Sequence, residues 1–331
     1  MQVSFENGIS LRIAGQDFCI DPHRKINSET FSIISHAHSD HTHLRQNSTH
    51  HCSKETKGIL NEKFKKSELK ILDSKAKFKK DSIEVSLHSA GHILGSNQIQ
   101  FVNGCNVVVT SDFKLQDDLL LDGAKVLESD VLIIESTFGK PEFVFPPREE
   151  VFEKMQRWCQ KELKDNKKVI LSGYALGKAQ EITKFCNDYL SESPGVYASV
   201  FRNNQLYEQE GAKLGGYELL EGNLNDFNVL IIPPFNLNNG LRHAIQLSST
   251  QKISTAFCTG WTFRYGFDQL FPLSDHADFT QLLHYVEQSH PKQVYTIYGF
   301  AQEFAQFINK KLGIKAKPLE EANQKDLTDF V

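Results

Sequence analysis

An apolar run, Phe31-Ser32-Ile33-Ile34, delivers seven residues, Ser35-His36-Ala37-His38-Ser39-Asp40-His41, that are too polar and too crowded with imidazole for an ordinary core. The run reads as a strand. Successive side chains at a strand end point to opposite faces, so His36 and His38, two apart, can close on one metal ion. Asp40 and His41, in the turn that follows, can reach to the far side and address a second. Imidazole and carboxylate without thiolate suit zinc, manganese or iron in a hydrolytic site with a coordination position left for water. The bland alternative, a polar turn that happens to be rich in histidine, explains neither the spacing nor four potential ligands together.

The same arrangement of strand followed by reactive loop recurs along the chain. Strands are expected at 9–13, 17–21, 31–35, 68–72, 83–87, 98–102, 106–110 and 131–135, with a hairpin turn at Ala14-Gly15-Gln16 and a helix over 54–64. His88 and His92 lie four apart, but Ser89-Ala90-Gly91 breaks any helix that would put them on one face, so one reads as a ligand and the other as a structural histidine. Asp112 ends a strand where a carboxylate can bridge two cations, and Glu135 ends another. His50-His51-Cys52 falls in an expected loop with no spaced partner and reads as surface rather than as a metal site.

From Arg148 the pattern changes. Val151, Met155, Trp158, Cys159 and Leu163 form one helical stripe, and strand 168–171, helix 176–188, strand 196–200, helix 202–210 and strand 228–232 then alternate as in a small parallel sheet. Strand 254–258 is expected to return to the first domain, followed by helix 279–289, strand 294–297 and helix 302–312. This gives a discontinuous domain, 1–140 and 255–331, with an insert at 141–254. The link Ser172-Gly173-Tyr174-Ala175-Leu176-Gly177-Lys178 joins a strand to a helix, where backbone N–H groups favour an anion. It is not a Walker loop, because Gly173 is one position too close to Gly177 and Ala179 replaces Ser or Thr.

The chain has 331 residues, 40% hydrophobic and 24% charged, enough for one sizeable domain plus an inserted one. It carries no apolar run of spanning length and no basic start followed by an apolar stretch, so an intracellular, cytoplasmic location is expected. Six cysteines without a CxxC pair read as buried thiols of a reducing compartment. With a net charge of -4, positive potential for a nucleic acid must be local. One segment qualifies: between Asn61 and Ser82, eight lysines (Lys63, Lys65, Lys66, Lys70, Lys75, Lys77, Lys79, Lys80) face four acids, as a phosphate-tracking patch or as a solvated surface.

The HxHxDH stretch resembles the signature of the metallo-β-lactamase superfamily. Ala90-Gly91-His92-Ile93-Leu94-Gly95-Ser96 and Thr110-Ser111-Asp112-Phe113 resemble its third and fourth motifs. Ile133-Ile134-Glu135-Ser136-Thr137-Phe138-Gly139, Tyr174-Ala175-Leu176-Gly177-Lys178-Ala179-Gln180-Glu181 and Ser274-Asp275-His276-Ala277-Asp278-Phe279 are similar to motifs of its β-CASP nucleases, which include Artemis, the crosslink-repair nucleases and the polyadenylation endonuclease. The likeness covers nearly the whole chain and is strongest to DNA ligase-associated exonucleases. It implies an α/β fold: an αββα sandwich carrying an inserted small α/β domain, with the site in the cleft between them.

The resemblance implies roles as well. His36, His38, His92 and Asp112 would hold a first ion, and Asp40, His41 and Asp112 a second. Asp40, Asp112, Glu135 and His276 would carry catalysis, with His276, oriented by Glu135, stabilising phosphate or protonating the leaving oxygen. Ser136, Thr137, Gly177, Lys178, Asp275 and Tyr298 would contact substrate; for Lys178 a plain helix-surface lysine is the alternative. In the polyadenylation-type branch a His-Gly completes the second metal site where this chain has Tyr298-Gly299, so one tightly held Zn2+ and a weaker second ion are expected, with Mn2+ or Mg2+ as alternatives. The implied activity is a metal-dependent phosphodiesterase on DNA or RNA, foremost a DNA exonuclease in repair working with an ATP-dependent DNA ligase and a helicase. RNA processing of the mRNA 3'-end type is the alternative. A glyoxalase- or lactonase-like hydrolase would have no use for Glu135, Lys178 and His276, and a scaffold without metal would have no use for the ligand set.

Overall fold

The computed structural model describes residues 1–43, 48–61, 68–73, 77–221, 224–261 and 266–319, and the chain divides into two compact units. The first comprises Met1–Gln116, Gly123–Val144 and His276–Val331; the second comprises Asp117–Asp122 and Phe145–Asp275.

Two mixed sheets build the first unit. In one, the strands Gln2–Phe5, Ile9–Ile13, Gln16–Ile20, Phe31–Ile33, Thr49–Cys52 and Glu68–Ile71 pair in chain order. The first two connections are tight: Ala14 and Gly15 both take positive φ, as a two-residue hairpin requires. The other runs in the order Lys315–Pro318, Gln293–Ile297, Val131–Glu135, Asn106–Val109, Asn97–Val102, Ile83–Ser89, Phe78–Lys80. Strand periodicity explains how they join. Ile9, Leu11, Phe18, Ile20, Phe31 and Ile33 of the first sheet pack with Val85, Leu87, Ile99, Phe101, Val107, Val109 and Ile133 of the second in one core. The alternate residues Val108, Leu132, Ile134 and Val294 turn the other way, onto the helices Phe279–Ser289 and Ala301–Leu312. Every reactive loop expected from the sequence in this unit leaves such a sheet, so rigid strands set its position.

The second unit holds a sheet whose pairings are all parallel, in the order Glu218–Leu219, Gly195–Val196, Val229–Ile231, Lys167–Ser172, Lys252–Cys258, Gln269–Phe271. Its central strands are apolar on both faces, as parallel strands must be when helices cover both sides. Val169, Leu171, Val229, Ile231 and Ala256 pack on Val151, Met155, Ile182 and Phe185, while Ile170, Leu230, Ile232 and Phe257 pack on Leu237 and Ile245.

Several elements differ from their sequence expectation. The strand Lys252–Cys258, expected to re-enter the first domain, pairs along its length with Lys167–Ser172, so the second unit runs from 145 to 275 rather than from 141 to 254. Of the strand expected over 196–200 only Val196 is in one, the two-residue Gly195–Val196; Val200 belongs to the helix Ala198–Gln209 and is buried in the core beneath it. His50-His51-Cys52 is a strand rather than a loop. His50 is buried against Ser32 Oγ at 2.8 Å, and His51 stacks on Phe31. A helix at Asn239–Ser248 was not expected.

Candidate metal centre

His36, His38, His92 and Asp112 each bring one ligand atom within 4.8 Å of the others. Their backbones come from three places. His36 and His38 follow the strand Phe31–Ile33, His92 sits in the loop after Ile83–Ser89, and Asp112 follows Asn106–Val109. The His92 loop depends on glycine: Gly91 and Gly95 take positive φ, and a Cβ on Gly95 would meet the Thr56 backbone nitrogen at 2.6 Å. Ser96 Oγ accepts from the N–H groups of His92 and Ile93, and buried Lys114 donates through Nζ to the carbonyls of Gly91 and His92.

Hydrogen bonds around His36 fix its tautomer. Ser35 Oγ gives its single proton to Asp21 Oδ2 at 2.6 Å and accepts from Ser111 Oγ, so at 2.9 Å from Ser35 the His36 Nδ1 must be the donor. That leaves Nε2 as a bare lone pair, buried, without a hydrogen-bond partner among the described residues and 3.6 Å from Asp112 Oδ2. His92 Nε2 and His38 Nδ1 face each other at 3.0 Å. Burial, then His41, holds the His36 pKa well below the usual imidazole range. Burial raises the Asp112 carboxyl, but His41 and His276 outweigh it and hold its pKa well below the carboxylate range. An orphaned lone pair on His36, with two further imidazoles beside an ionised carboxylate and no thiolate, fits a divalent cation.

Asp21 has an organising role that the sequence did not reveal. It is fully buried with a positive φ and accepts from Ser35 N at 2.7 Å and, through Oδ2, from His41 Nδ1 at 2.8 Å. A carboxylate on one imidazole nitrogen directs the other nitrogen inward, here to 3.3 Å from Asp112 Oδ2. Burial lowers the His41 pKa, but the carboxylates of Asp112 and Asp21 outweigh it and lift it well above the ordinary range. Asp40 lies outside the group. Its side chain is 78% exposed with Oδ2 3.9 Å from His41 Nε2, because the turn closed by His41 N on His38 O sends His41 inward and Asp40 outward. Of the second ligand set expected from the sequence, His41 Nε2 lies 3.9 Å from Asp40 Oδ2 and 3.3 Å from Asp112 Oδ2, and Asp21, His36 and His41 form an adjoining group at ligand distance.

Glu135, fully buried, accepts from Phe113 N at 3.0 Å and lies 3.1 Å from His276 Nδ1 through both oxygens. Asp112, Glu135 and His276 form a further group at ligand distance, and the His276 ring stands 4.6 Å from that of His92. His276 keeps 26% of its side chain exposed.

Other expected contacts are already engaged. Ser136 Oγ is buried against the carbonyls of Ile297 and Tyr298, and Thr137 N donates to Glu135 Oε2. The N–H of Gly177 donates to Gln180 Oε1. Lys178, expected at a phosphate, is 1% exposed and bonded to Glu181 Oε2 at 2.8 Å and to Asp275 Oδ1 at 2.7 Å, which also engages Asp275. Tyr298 takes a positive φ and sets its ring against His41, with Oη buried and without a hydrogen-bond partner among the described residues. Burial and the surrounding carboxylates push that phenol well above its usual pKa. Half-buried His88 bonds to Ser86 through Nε2. Of the lysine segment, Lys77 pairs with Glu84 and Lys70 with Glu68, Lys79 and Lys80 lie outside any ion pair among the described residues, and Lys63, Lys65, Lys66 and Lys75 lie outside the described residues.

No protein-family model matches the chain. It is 32% identical over 339 aligned positions to a protein of Opitutus terrae named probable DNA ligase, which covers 98% of this chain and 32% of that protein. It is 38% identical over 114 residues to a transcription termination factor FttA of Lokiarchaeum, covering 33% of this chain and 18% of the relative. It is 32% identical over 124 residues to cleavage and polyadenylation specificity factor subunit 3 of Dictyostelium discoideum, covering 37% and 16%. The chain thus spans about a third of the length of the first of these relatives, and less of the others. A crystal structure of a protein of unknown function from Enterococcus faecalis shares its fold, with a TM-score of 0.55 over 83% of this chain and 77% of that one at 15% identity. These relatives agree with the motif set around His36, Asp112, Glu135 and His276: the chain belongs to the metallo-β-lactamase superfamily, in its β-CASP branch.

Proposed function

We propose that this protein is a metal-dependent phosphodiesterase acting on nucleic acid. The observation that carries the reading is the convergence of His36, His38, His92 and Asp112, with a bare His36 Nε2, beside the Glu135–His276 pair. A divalent cation held by those four residues would supply a Lewis acid for the scissile phosphate and for water. The protein's own groups do the rest. Asp21 orients His41, Lys114 and Ser96 hold the His92 loop, and Glu135 fixes His276 Nδ1 so that the opposite ring nitrogen can protonate the leaving oxygen, a role worth roughly 10²- to 10⁴-fold. Zinc suits the donor set, with Mn2+ or Mg2+ as alternatives. The second unit is read as the β-CASP insert.

Our finer reading, a DNA exonuclease in repair working with a ligase, takes from the relative named probable DNA ligase, which matches nearly the entire chain, the link to DNA and to ligation. An RNA-processing role is supported by the shorter matches to the termination and polyadenylation factors. Digestion of matched end-labelled DNA and RNA oligonucleotides, with and without chelator and alongside thioester and lactone substrates, separates these readings. Chelator-sensitive cutting of a polynucleotide is expected; turnover of the small esters alone would overturn the proposal.

A further inference from the structure

The loop that begins at Asp21 continues as Pro22-His23-Arg24-Lys25, and a turn of the neighbouring hairpin holds it in place. Asn7, between the strands Gln2–Phe5 and Ile9–Ile13, brackets the loop on both sides of Arg24: Asn7 Oδ1 accepts from Arg24 N, and Asn7 Nδ2 donates to Arg24 O at 3.3 Å. Gly8 takes a positive φ, and a Cβ there would run into the Asp21 carbonyl, so the same turn lies directly on Asp21. One bracket therefore fixes both the carboxylate that orients His41 and the three side chains after Pro22.

A line of rings carries this loop to the metal centre. His41 meets Tyr298 with centroids 5.4 Å apart, Tyr298 meets Phe5 at 5.8 Å, and Phe5 meets His23 at 5.9 Å. His23 then faces His43 at 5.2 Å, and exposed His43 lies two residues past His41. Arg24 and Lys25 are exposed and in no ion pair among the described residues. Of the acids in these loops, Asp21 is committed to Ser35 and His41, and Asp40 has Oδ2 3.9 Å from His41 Nε2, which leaves exposed Glu6 against two permanent cations.

We propose that this rim, Arg24 and Lys25 beside His23 and His43, is a second phosphate site in the first unit, which grips a non-scissile phosphate of the substrate strand. A guanidinium and an ammonium on a bracketed loop, next to imidazole N–H donors, match phosphate oxygens and carry no preference for a base. The inference rests on the nucleic-acid reading above and deepens it: the preferred substrate carries at least one phosphate beyond the one that is cut. A lone phosphodiester has nothing to place at the rim.

The test uses the full chain. In chelator, so that nothing is cut, fluorescence anisotropy with a labelled single-stranded DNA reads binding: Arg24→Gln with Lys25→Gln should weaken it about tenfold, the loss of one charge-assisted contact, and make log K against log salt shallower by about 0.7 for the phosphate no longer neutralised. Arg12→Gln, which removes an exposed charge paired with Asp17 on the same sheet, should bind as wild type. With metal, KM is then compared for strands carrying a single uncharged methylphosphonate one, two or three positions from the scissile bond. One position should raise KM in wild type and have no effect in the double variant, and the double variant should lose about tenfold in its preference for the oligonucleotide over bis(p-nitrophenyl) phosphate. Unchanged affinity and salt slope in the double variant, an equal loss in Arg12→Gln, or the same methylphosphonate pattern in both proteins would overturn the rim while leaving the nuclease reading intact. A wild type that neither binds nor cuts any polynucleotide would overturn both.

Discussion

The two units each bury a cluster of ionisable side chains, and the clusters resolve their charge in opposite ways. In the second unit, Glu181, Asp275 and Asp118 approach to ligand distance, yet the chain supplies its own cations. Arg148 grips Glu181 through Nε at 2.8 Å and Nη2 at 2.6 Å and reaches Ser274 O, while Lys178 joins Glu181 to Asp275. In the first unit, Asp112 has the imidazoles of His36, His41 and His92 as its ion-pair partners among the described residues, and of the ring nitrogens turned toward it His36 Nε2 is a bare lone pair. The first arrangement is neutralised by arginine and lysine; the second is built of imidazoles around one carboxylate, the donor set that the proposed metal would use. Three acidic residues at ligand distance therefore do not mark a metal site by themselves. The positive side chains between them decide.

The sharpest way to break the comparison is to remove the central acceptor of the open cluster. Asp112→Asn should lower phosphodiester hydrolysis on the order of 10³-fold, the several kcal/mol of charge stabilisation that a metal site supplies, with the far-UV spectrum unchanged. Retention of more than about a tenth of the rate at saturating metal would refute the assignment. His276→Ala should cost roughly 10²-fold or more as general-acid loss and leave metal content as it is; a loss of bound metal would make His276 a ligand.

The closed cluster should answer in stability instead of chemistry. Lys178→Met leaves buried carboxylate charge less compensated and should destabilise the second unit by about 3 kcal/mol in urea, with metal affinity unaltered. Acid gives the same comparison without a severed ion pair. Burial raises the Glu181 carboxyl, but Arg148 and Lys178 outweigh it and bring the pKa down to about 2. With the folded pKa below the unfolded value near 4.3, this contribution is present above that value and is lost as pH falls toward 2. Glu181→Gln should flatten the acid limb of the stability profile; an unaltered limb would show that the network does not couple to folding.

Legibility in the sequence follows the same division. His36, His38, His92, Asp112, Glu135 and His276 could be picked out because each sits at a strand end or motif where its chemistry has no simpler use. Asp21 was missed because an acid before Pro22 at a strand end reads as a turn, and its partners Ser35 and His41 lie 14 and 20 residues away. Lys178 was misread because its neutralising partner Asp275 is 97 residues distant. The boundary at 254 failed for a related reason: an apolar strand such as Lys252–Cys258 carries no mark of which sheet it joins. Polar His50-His51 hid a strand, and β-branched Val200 hid a helix start.

The smallest expected effect concerns Tyr298, at the margin of the open cluster. Its Oη is buried beside carboxylates without a hydrogen-bond partner among the described residues, and its pKa lies well above the ordinary phenol value, so at neutral pH it presents a proton where a metal ligand would present a lone pair. Asp40, turned outward, does not make good the deficit. The adjoining group of Asp21, His36 and His41 shares His36 with the first set and has His41 Nδ1 committed to Asp21. A second cation there should be held weakly. Extensively dialysed protein should contain about one ion per chain, and Tyr298→His, which replaces a proton donor by an imidazole lone pair, should raise this toward about two. Tyr298→Phe separates ligation from packing, because it keeps the ring against His41 and should leave the stoichiometry near one. Two tightly held ions in the dialysed wild type would show that Asp112 and His41 suffice and that the phenol does not limit the site.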